Sequence, residues 1–548
     1  MPINYVRTGG TVARARGISM RTLFFVTAAL AVPAVGLLGA FAWTPAYLGY
    51  VVVLPIVLLG LIDAFQVQHA VRRNFPVAGH LRYLLEEIRP EISQYFIESD
   101  TNGRPFSREL RSIVYQRAKG VTDTLPFGTR ADVYEPGHSW IAHSIQPAPV
   151  LEVPPRVVVG GPRCAQPYAA ALLNVSAMSF GALSKNAVLA LNRGAALGGF
   201  AHNTGEGGIS PYHLQHGGDL IWQIGTGYFG CRTPEGDFDP DRFREKAAIP
   251  AVKMIEVKLS QGAKPGHGGF LPGAKVTPEI AAIRGVPAGH DIVSPAAHRA
   301  FDSPRGLLAF LDRLRDLSGG KPVGFKLCVG DEREFFAICK AMVETGLSPD
   351  FITVDGAEGG TGAAPLEFSN SVGMPLRDAL AFVHAALVGI GYRDQVRIIA
   401  SGRIVTGFDL AEKLALGADM ANAARAMMFA LGCIQALRCN RNTCPVGVAT
   451  QDPQLTQGLV VPDKAQRVYR YHQATVRSLL ELTAAAGLRH PHELCAHHIR
   501  RRGPSGEVEA LDEALDLVEP GAFLRGRVPA RWAPAWHAAR GETFAAGA

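Results

Sequence analysis

Between residues 151 and 451 the chain keeps returning to one pattern, a short apolar run followed by a segment of helical periodicity. The runs are ALLNVSAM from Ala171, then GFAHN, LIWQIG, MIEVKLS, PVGFKLCV, DFITVDG, QVRIIASG and ADMANAAR. Most end in or near Gly, Ser or Asn, and helix-like stretches such as PLRDALAFVHAALVGIG separate them. Apolar, β-branched runs of this kind belong to strands covered on both sides, which means a parallel sheet under helices. Eight of them in about 300 residues fit a (β/α)8 barrel with insertions, the TIM-barrel architecture of the α/β class. A doubly wound open sheet is the competing arrangement. In both, a ligand lies beyond the carboxyl ends of the strands, so the chemistry is expected there.

The N-terminal segment obeys a different rule. Thr22 to Trp43 carries no charge, and a second apolar run from Ala46 to Phe65 is broken only by Asp63. Each is long enough to cross a hydrocarbon layer of about 30 Å as a helix. Arg14, Arg16 and Arg21 would also suit the basic end of a signal peptide, but the second run and the lack of a small-residue cleavage site favour a transmembrane hairpin. A buried hairpin of a soluble protein is the remaining alternative. Arg7, Arg14, Arg16 and Arg21 precede the pair, Arg72 and Arg73 follow it, and the link at Pro45 has no basic residue. Positive charge marks the cytoplasmic side, so both ends and the barrel are expected in the cytoplasm, at the inner membrane. Asp63, near the end of its span, is expected to reach the interface.

The expected organisation is a tail (1–21), a transmembrane hairpin (22–66), a membrane-proximal cap (67–150), the barrel (151–451) and a helical extension (452–548). The Pro-, Trp- and Arg-containing end of that extension reads as loosely ordered. No solenoid repeat is present. A hydrophobic share of 47% excludes a disordered chain. Lys and Arg exceed Asp and Glu by 55 to 48, a weak field without the dense basic runs and interleaved aromatics of a nucleic-acid binder. Eight cysteines in 548 residues do not make a disulfide scaffold.

Five local features bear on chemistry. Gly225-Thr226-Gly227-Tyr228-Phe229-Gly230 matches G-x-G-x-x-G after a strand, but Cys231-Arg232-Thr233-Pro234 follows where a dinucleotide site needs a helix. It reads as a glycine loop passing close to a ligand. Cys433, Cys439 and Cys444 stand in GCIQALRCNRNTCPVG. Three thiolates in one short loop suit an iron–sulfur cluster, and the absence of a fourth suggests [3Fe-4S]. Zinc is the competitor, with His472 or Cys495 as a fourth ligand. Late in the barrel, Ser401-Gly402-Arg403 with a helix behind it, and Ala424-Arg425 one strand on, resemble a phosphate cradle. Gly359-Gly360-Thr361-Gly362 lets backbone approach a flat ligand. Lys326 could stand at the N1–C2 edge of a flavin, or be a lysine paired with a carboxylate.

Five ordered motifs then carry a family resemblance: NVSAMSFGALS (174–184), NTGEGG (203–208), QGAKPGHGGFLPG (261–273), DGAEGGTGAAP (355–365) and CIQALRCNRNTCPVGVATQ (433–451). Over about 151–451 the chain resembles the FMN-binding synthase domain of the glutamate synthase large subunit. That resemblance implies a barrel holding FMN and a [3Fe-4S] cluster, and reductive amination of 2-oxoglutarate by ammonia to L-glutamate. It implies that Ser176, Ala177, Met178 and Ser179 line the flavin with Asn203 and Gln223 close by, and that Lys326 faces its N1 side. Gly360, Gly402, Arg403, Ala424 and Arg425 would surround the ring and phosphate. Glu206, Lys264 and Arg284 would meet the keto acid: a dicarboxylate needs paired cations, and Glu206 would hold ammonia or relay a proton.

Two departures stand out. Where the family reads K-P-G-E-G-G-Q, this chain has Lys264-Pro265-Gly266-His267-Gly268-Gly269-Phe270, and Glu358 precedes the Gly359-Gly360 pair. An apolar ring in place of an amide should reshape the keto-acid pocket. The alternative functions are an electron-transfer or scaffold subunit, or an amino-acid dehydrogenase or N-substituted glutamate synthase of altered substrate. The chain opens Met1-Pro2 and its first cysteine is Cys164, so hydrolysis of glutamine by an N-terminal cysteine is not expected. Ammonia would be free or supplied by a partner, and electrons would come from a ferredoxin-like or membrane-bound donor.

Overall fold

The computed structural model describes residues 19–121, 124, 126–513 and 515–545. The tail to residue 18, with Arg7, Arg14 and Arg16, lies outside the described residues. Two compact units divide between Glu98 and Ser99, so the segment expected as a single cap (67–150) is shared between them.

In the first unit, Ser19 caps helix α1 (Met20–Phe41) by accepting the Thr22 N–H, and a 3-10 turn at Thr44–Gly49 leads into α2 (Tyr50–Phe65). The two apolar segments, 20–41 and 44–65, are each 22 residues, about 33 Å at helical rise, and their side chains are mostly exposed. Close approach is built from small residues: a Cβ on Gly60 would fall inside the Phe24 ring's contact distance. Asp63 does not reach outward. It is buried, pairs with His80 at 2.9 Å and accepts the Val77 N–H at 3.0 Å. The turn that brings His80 back holds Val77 at a φ of 64°, in the left-handed region.

The second unit is the barrel. Its strands are β1 (Leu173–Val175), β2 (His202–Asn203), β3 (Leu220–Ile224), β4 (Val252–Lys258), β5 (Val323–Leu327), β6 (Phe351–Asp355), β7 (Arg397–Ser401) and β8 (Met420–Ala423). Each falls on one of the eight apolar runs. All pairings are parallel, and Ala421, Asn422 and Ala423 of β8 register with Leu173, Asn174 and Val175 of β1. That last pairing closes the sheet and removes the open-sheet alternative. β3, β5 and β6 are buried at every residue, because helices cover one face and the barrel interior fills the other.

The covering helices include α3 (Lys185–Gly198), α4 (Pro240–Ala247), α5 (Pro304–Leu317), α6 (Glu332–Thr345), α7 (Leu376–Gly389), α8 (Gly407–Ala415) and α9 (Arg425–Leu431). A long helix, α10 (Val461–Ala485), packs on α3, where Gly194 leaves room for Val468 and the Ala465 carbonyl. His472 of α10 stacks on Phe200 at 3.8 Å and bonds the Leu173 carbonyl at 2.9 Å. The chain end is better packed than its composition suggests. Ile499–Arg502 pairs with both Ser139–Ile141 and Val508–Ala510. Trp532 lies against Phe382 at 5.6 Å and Trp536 against Phe336 at 5.5 Å, so two indoles seal α6 and α7.

Candidate active site

A cavity of about 1090 Å³ opens at the carboxyl ends of the strands. Its floor is a polar knot inside the barrel. Glu256, in the middle of β4 and fully buried, accepts hydrogen bonds from Asn203 at 2.8 Å, Gln223 at 2.7 Å and Thr353 at 2.5 Å. Four strands are thereby tied together beneath the ligand. Gln223 still lines the cavity; Asn203 does not, and its side-chain Oδ1 instead accepts the Gly205 N–H at 3.0 Å. Asn203 therefore stands below the cavity as a support for the loop that carries Glu206.

Three cations surround Glu206. Lys258, at the end of β4, pairs with it at 3.0 Å, and Lys264 and Arg284 also bear on its charge. Burial opposes ionisation of Glu206, but Lys258 above all, then Arg284 and Lys264, outweigh it and hold the carboxyl below its ordinary value. Lys264 is 3% exposed; burial, aided by Lys258, brings its ammonium down to about 8 against the pull of Glu206. Arg284 is also buried and is lowered to about 10 for the same first reason. It donates to Ser179 Oγ at 3.3 Å and the Phe180 carbonyl at 3.1 Å, lies 5.2 Å over the Phe229 ring, and keeps its Nε unpaired. The buried cations thus exceed the carboxylate, and an unpaired guanidinium N–H remains: this end of the cavity is built for an anion.

The glycine loop Gly225–Gly230 has its physical reason here. A Cβ on Gly225 would stand 2.5 Å from Glu206 Oε2, and one on Gly269 2.3 Å from Oε1, so the carboxylate is seated between two bare backbones. No helix starts at Gly230; α4 begins ten residues later, at Pro240.

Across the cavity, Ser176, Ala177, Met178 and Ser179 follow β1 and supply wall and backbone. Lys326 of β5 pairs with Asp355 of β6 at 3.2 Å. Burial acts against its charge, but Asp355 and Glu256 prevail and raise its pKa. Lys326 is thus both a paired lysine and a cavity residue. Gly402, at a φ of 139°, Arg403, Ala424 and Arg425 follow β7 and β8. A Cβ on Gly360 would meet the Arg425 side chain at 2.7 Å, and Arg425 also donates to the Glu358 carbonyl and lies 4.6 Å over the Phe106 ring. The helix behind Gly402 is not free to receive a ligand: Thr406 and Asp409 form a capping box that occupies the start of α8.

The cysteine loop leaves α9 through Gly432 and borders the same cavity with Cys433, Cys439 and Cys444. Burial raises Cys433 to about 12 and also raises Cys439. Gln435 and Leu437 take φ values of 57° and 55°, and Gln435 bonds both Phe106 backbone groups, which ties the loop to residues far away in sequence. Tyr115 donates to the Cys433 carbonyl at 2.6 Å, and Lys275 to the Cys439 carbonyl at 3.1 Å. Neither His472 nor Cys495 borders this cavity. Of the residues that depart from the family motifs, Phe270 and Glu358 line the cavity and His267 does not; His267 packs at 5.3 Å against Phe368. Glu358 accepts the Leu376 N–H at 3.0 Å and so caps α7.

Sequence reasoning missed Glu256, Lys258, Lys275 and Asn422, whose Oδ1 is buried and unpaired at the cavity. Glu256 and Lys258 had a signal: charges at alternate positions of a strand otherwise buried on both faces. Lys275 and Phe106 had none.

Barrel, cationic cavity and three-thiol loop together define a (β/α)8-barrel oxidoreductase. Residues 164–489 match the family described as the conserved region in glutamate synthase. The chain belongs to that family. It is 40% identical over 509 residues to the glutamate synthase large subunit-like protein YerD of Bacillus subtilis, covering 85% of this chain and 96% of that one. The archaeal glutamate synthase [NADPH] of Methanocaldococcus jannaschii is 36% identical over 330 residues, 60% of this chain and 61% of its own. Against the glutamate synthase [NADPH] large chain of Bacillus subtilis the identity is 33%, and the match spans 22% of that longer protein.

Proposed function

We propose that this protein is a membrane-anchored FMN and iron–sulfur enzyme that converts 2-oxoglutarate, or a related 2-oxo acid, and ammonia to L-glutamate. The observation that carries it is one ionised carboxylate, Glu206, held among Lys258, Lys264 and Arg284 on the cavity that the cysteine loop also borders. Overall, 2-oxoglutarate, ammonia, two electrons and two protons give glutamate and water.

The residues fit FMN. The cavity exceeds the usual range for a small-molecule site, enough for a cofactor beside a substrate. Asn422 Oδ1 lacks a partner there, Gly360 and Gly402 bring bare backbone to its edge, and Arg403 with Arg425 supplies charge for a phosphate. The three thiols fit a cluster better than one ion. Thiolates sharing a single zinc stand about 3.8 Å apart. These sulfurs do not all lie within 4.8 Å of one another, and separate irons of a cluster would hold them more widely. When bound, FMN supplies a hydride and the cluster passes it electrons one at a time.

The chain's own groups do the rest. Lys264 and Arg284 bind the two carboxylates of the keto acid and orient its carbonyl. Lys258 positions Glu206, whose carboxylate holds ammonium at the carbonyl and moves a proton as the imine forms. The ionised state of Glu206 suits it to accept that proton. Ammonia is free or comes from a partner, and the electrons come from a ferredoxin-like or membrane-bound donor. Helices α1 and α2 span the membrane, with both ends and the catalytic unit in the cytoplasm, and confinement to one surface raises the effective concentration of a membrane-bound donor. Phe270 on the cavity wall favours a second reading, an N-substituted product from an amine larger than ammonia. A screen of 2-oxo acids against ammonium and primary amines, read by reoxidation of the reduced flavin, tests both. The highest rate with 2-oxoglutarate and ammonium supports the first, preference for an alkylamine the second, and no reoxidation by any pair overturns both.

A further inference from the structure

Outside the cavity, His490–His498 (HPHELCAHH) carries four histidines and a cysteine. A 3-10 turn at Ala496–His498 ends in the strand Ile499–Arg502 and packs near α8. It folds the ligand-bearing side chains onto one another: Cys495 Sγ stands 3.2 Å from His497 Nδ1 and 3.3 Å from His498 Nδ1, and His498 Nδ1 also accepts the Cys495 N–H at 3.2 Å. Their ligand atoms all lie within 4.8 Å, the only three-residue group of this kind among the described residues. A tetrahedral ion bound at ordinary zinc–sulfur and zinc–nitrogen lengths holds its S and N ligands about 3.5 Å apart, so the spacing already matches. Cys495 and His497 are exposed, which leaves an entry path.

A second observation comes from the hairpin that follows. Arg500 registers with Ala510, and the Leu511 N–H donates to the Ile499 carbonyl at 3.0 Å. Continued by one step, that register sets Asp512 opposite His498. Asp512 Oδ1 is buried without a hydrogen-bond partner among the described residues, and its charge bears on both Cys495 and His498. A buried carboxylate oxygen without a donor calls for a cation.

We propose that Cys495, His497 and His498, with the Asp512 carboxylate beside them, form a surface site for a divalent transition metal of the zinc class. One thiolate and two imidazoles select a borderline ion over magnesium or calcium, water takes the fourth position, and Asp512 supplies compensating charge beside the ligands. The ion clips the turn to the returning strand, and so fastens the C-terminal sheet to the barrel's outer helices. The site is separate from the cysteine loop of the cavity and takes no part in binding substrate.

Cobalt(II) is the probe, added to the full-length holoprotein under anaerobic conditions. The expected result is one tight equivalent with a thiolate-to-cobalt charge-transfer band and tetrahedral visible bands. Both disappear in Cys495→Ser and in His497→Gln, the latter a change at an exposed side chain that spares the fold. Asp512→Asn binds at least about tenfold more weakly. Flavin and iron content stay unchanged in all three. Failure of the wild-type protein to take up cobalt overturns the proposal, and so does an unchanged spectrum in Cys495→Ser or His497→Gln, which would leave the group a thiol–imidazole hydrogen bond only.

Discussion

Gly225→Ala tests the placement of Glu206 at its tightest point. Gly225 has no left-handed backbone, so alanine is compatible with the local chain. The trouble is space. The new methyl would stand 2.5 Å from Glu206 Oε2 and 2.8 Å from its Cβ, while real contacts of this kind do not fall below 3.0 Å. The carboxylate must therefore yield by roughly half an ångström. It cannot retreat toward Gly269, whose backbone closes the opposite side, so it shifts against Lys258 or into the cavity. Overpacking of this kind costs about 1–3 kcal/mol, which a chain of this size tolerates without unfolding. Misplacing a reacting group by about 1 Å costs up to about 10²-fold in rate, so a fall in kcat of about 10- to 100-fold is expected, with flavin content intact. Gly330→Ala is the control: nothing lies within 4 Å of that methyl, and a change within about 0.5 kcal/mol is expected. The assay is steady-state turnover with an artificial reductant, beside flavin absorbance and thermal unfolding. Wild-type kcat in fully flavinylated Gly225→Ala would refute the role given to Glu206.

Other outcomes follow from the same geometry. Arg284→Ala removes one of two cations for the dicarboxylate and should weaken its apparent binding by about 2–3 kcal/mol; unchanged KM for every oxo acid would defeat the substrate assignment. Lys264, brought down to about 8, is a cation below that pH and neutral above it. Thus kcat/KM for a dicarboxylate should fall about tenfold per pH unit above 8, and Lys264→Arg should flatten that limb; a wild-type profile level to pH 10 would contradict it. Cys439→Ser should abolish a three-iron EPR signal while flavin absorbance persists, whereas stoichiometric zinc without iron in the wild type would exclude the cluster. The full chain should stay with membranes through an alkaline carbonate wash, and a form beginning at Ser99 should be released; release of both would remove the anchor.

The barrel was legible because a strand buried on both faces is mostly apolar and β-branched along its whole length. Eight apolar runs stood out against helices with one apolar side, and every strand overlapped one of them, β4 starting two residues ahead of its run. The cysteine loop and the glycine-rich ends of β6 and β7 were legible for a related reason: those residue types suit few other roles. What escaped was set by contacts between distant segments. Phe106 reaches Gln435 and Arg425 across more than 300 residues, and no local pattern announces it. Asp63 turns inward because Val77 accepts a left-handed backbone that brings His80 back, a choice invisible in composition. Asn203, expected close by the flavin, bonds Glu256 beneath the cavity; the parity of a two-residue strand is too short to read. The chain end reads as loosely ordered because the partners of Trp532 and Trp536 lie far away in sequence, on α7 and α6.

The central claim is the reaction itself, and a single-turnover experiment with labelled nitrogen addresses it most directly. Cluster-replete, anaerobically reduced protein is mixed with 2-oxoglutarate and ¹⁵N-ammonium, and flavin absorbance and product mass are followed together. The account predicts reoxidation of the flavin with one ¹⁵N-labelled L-glutamate formed for each flavin reoxidised, and loss of both in Glu206→Gln. A flavin that stays reduced, or reoxidises without labelled glutamate, would contradict it.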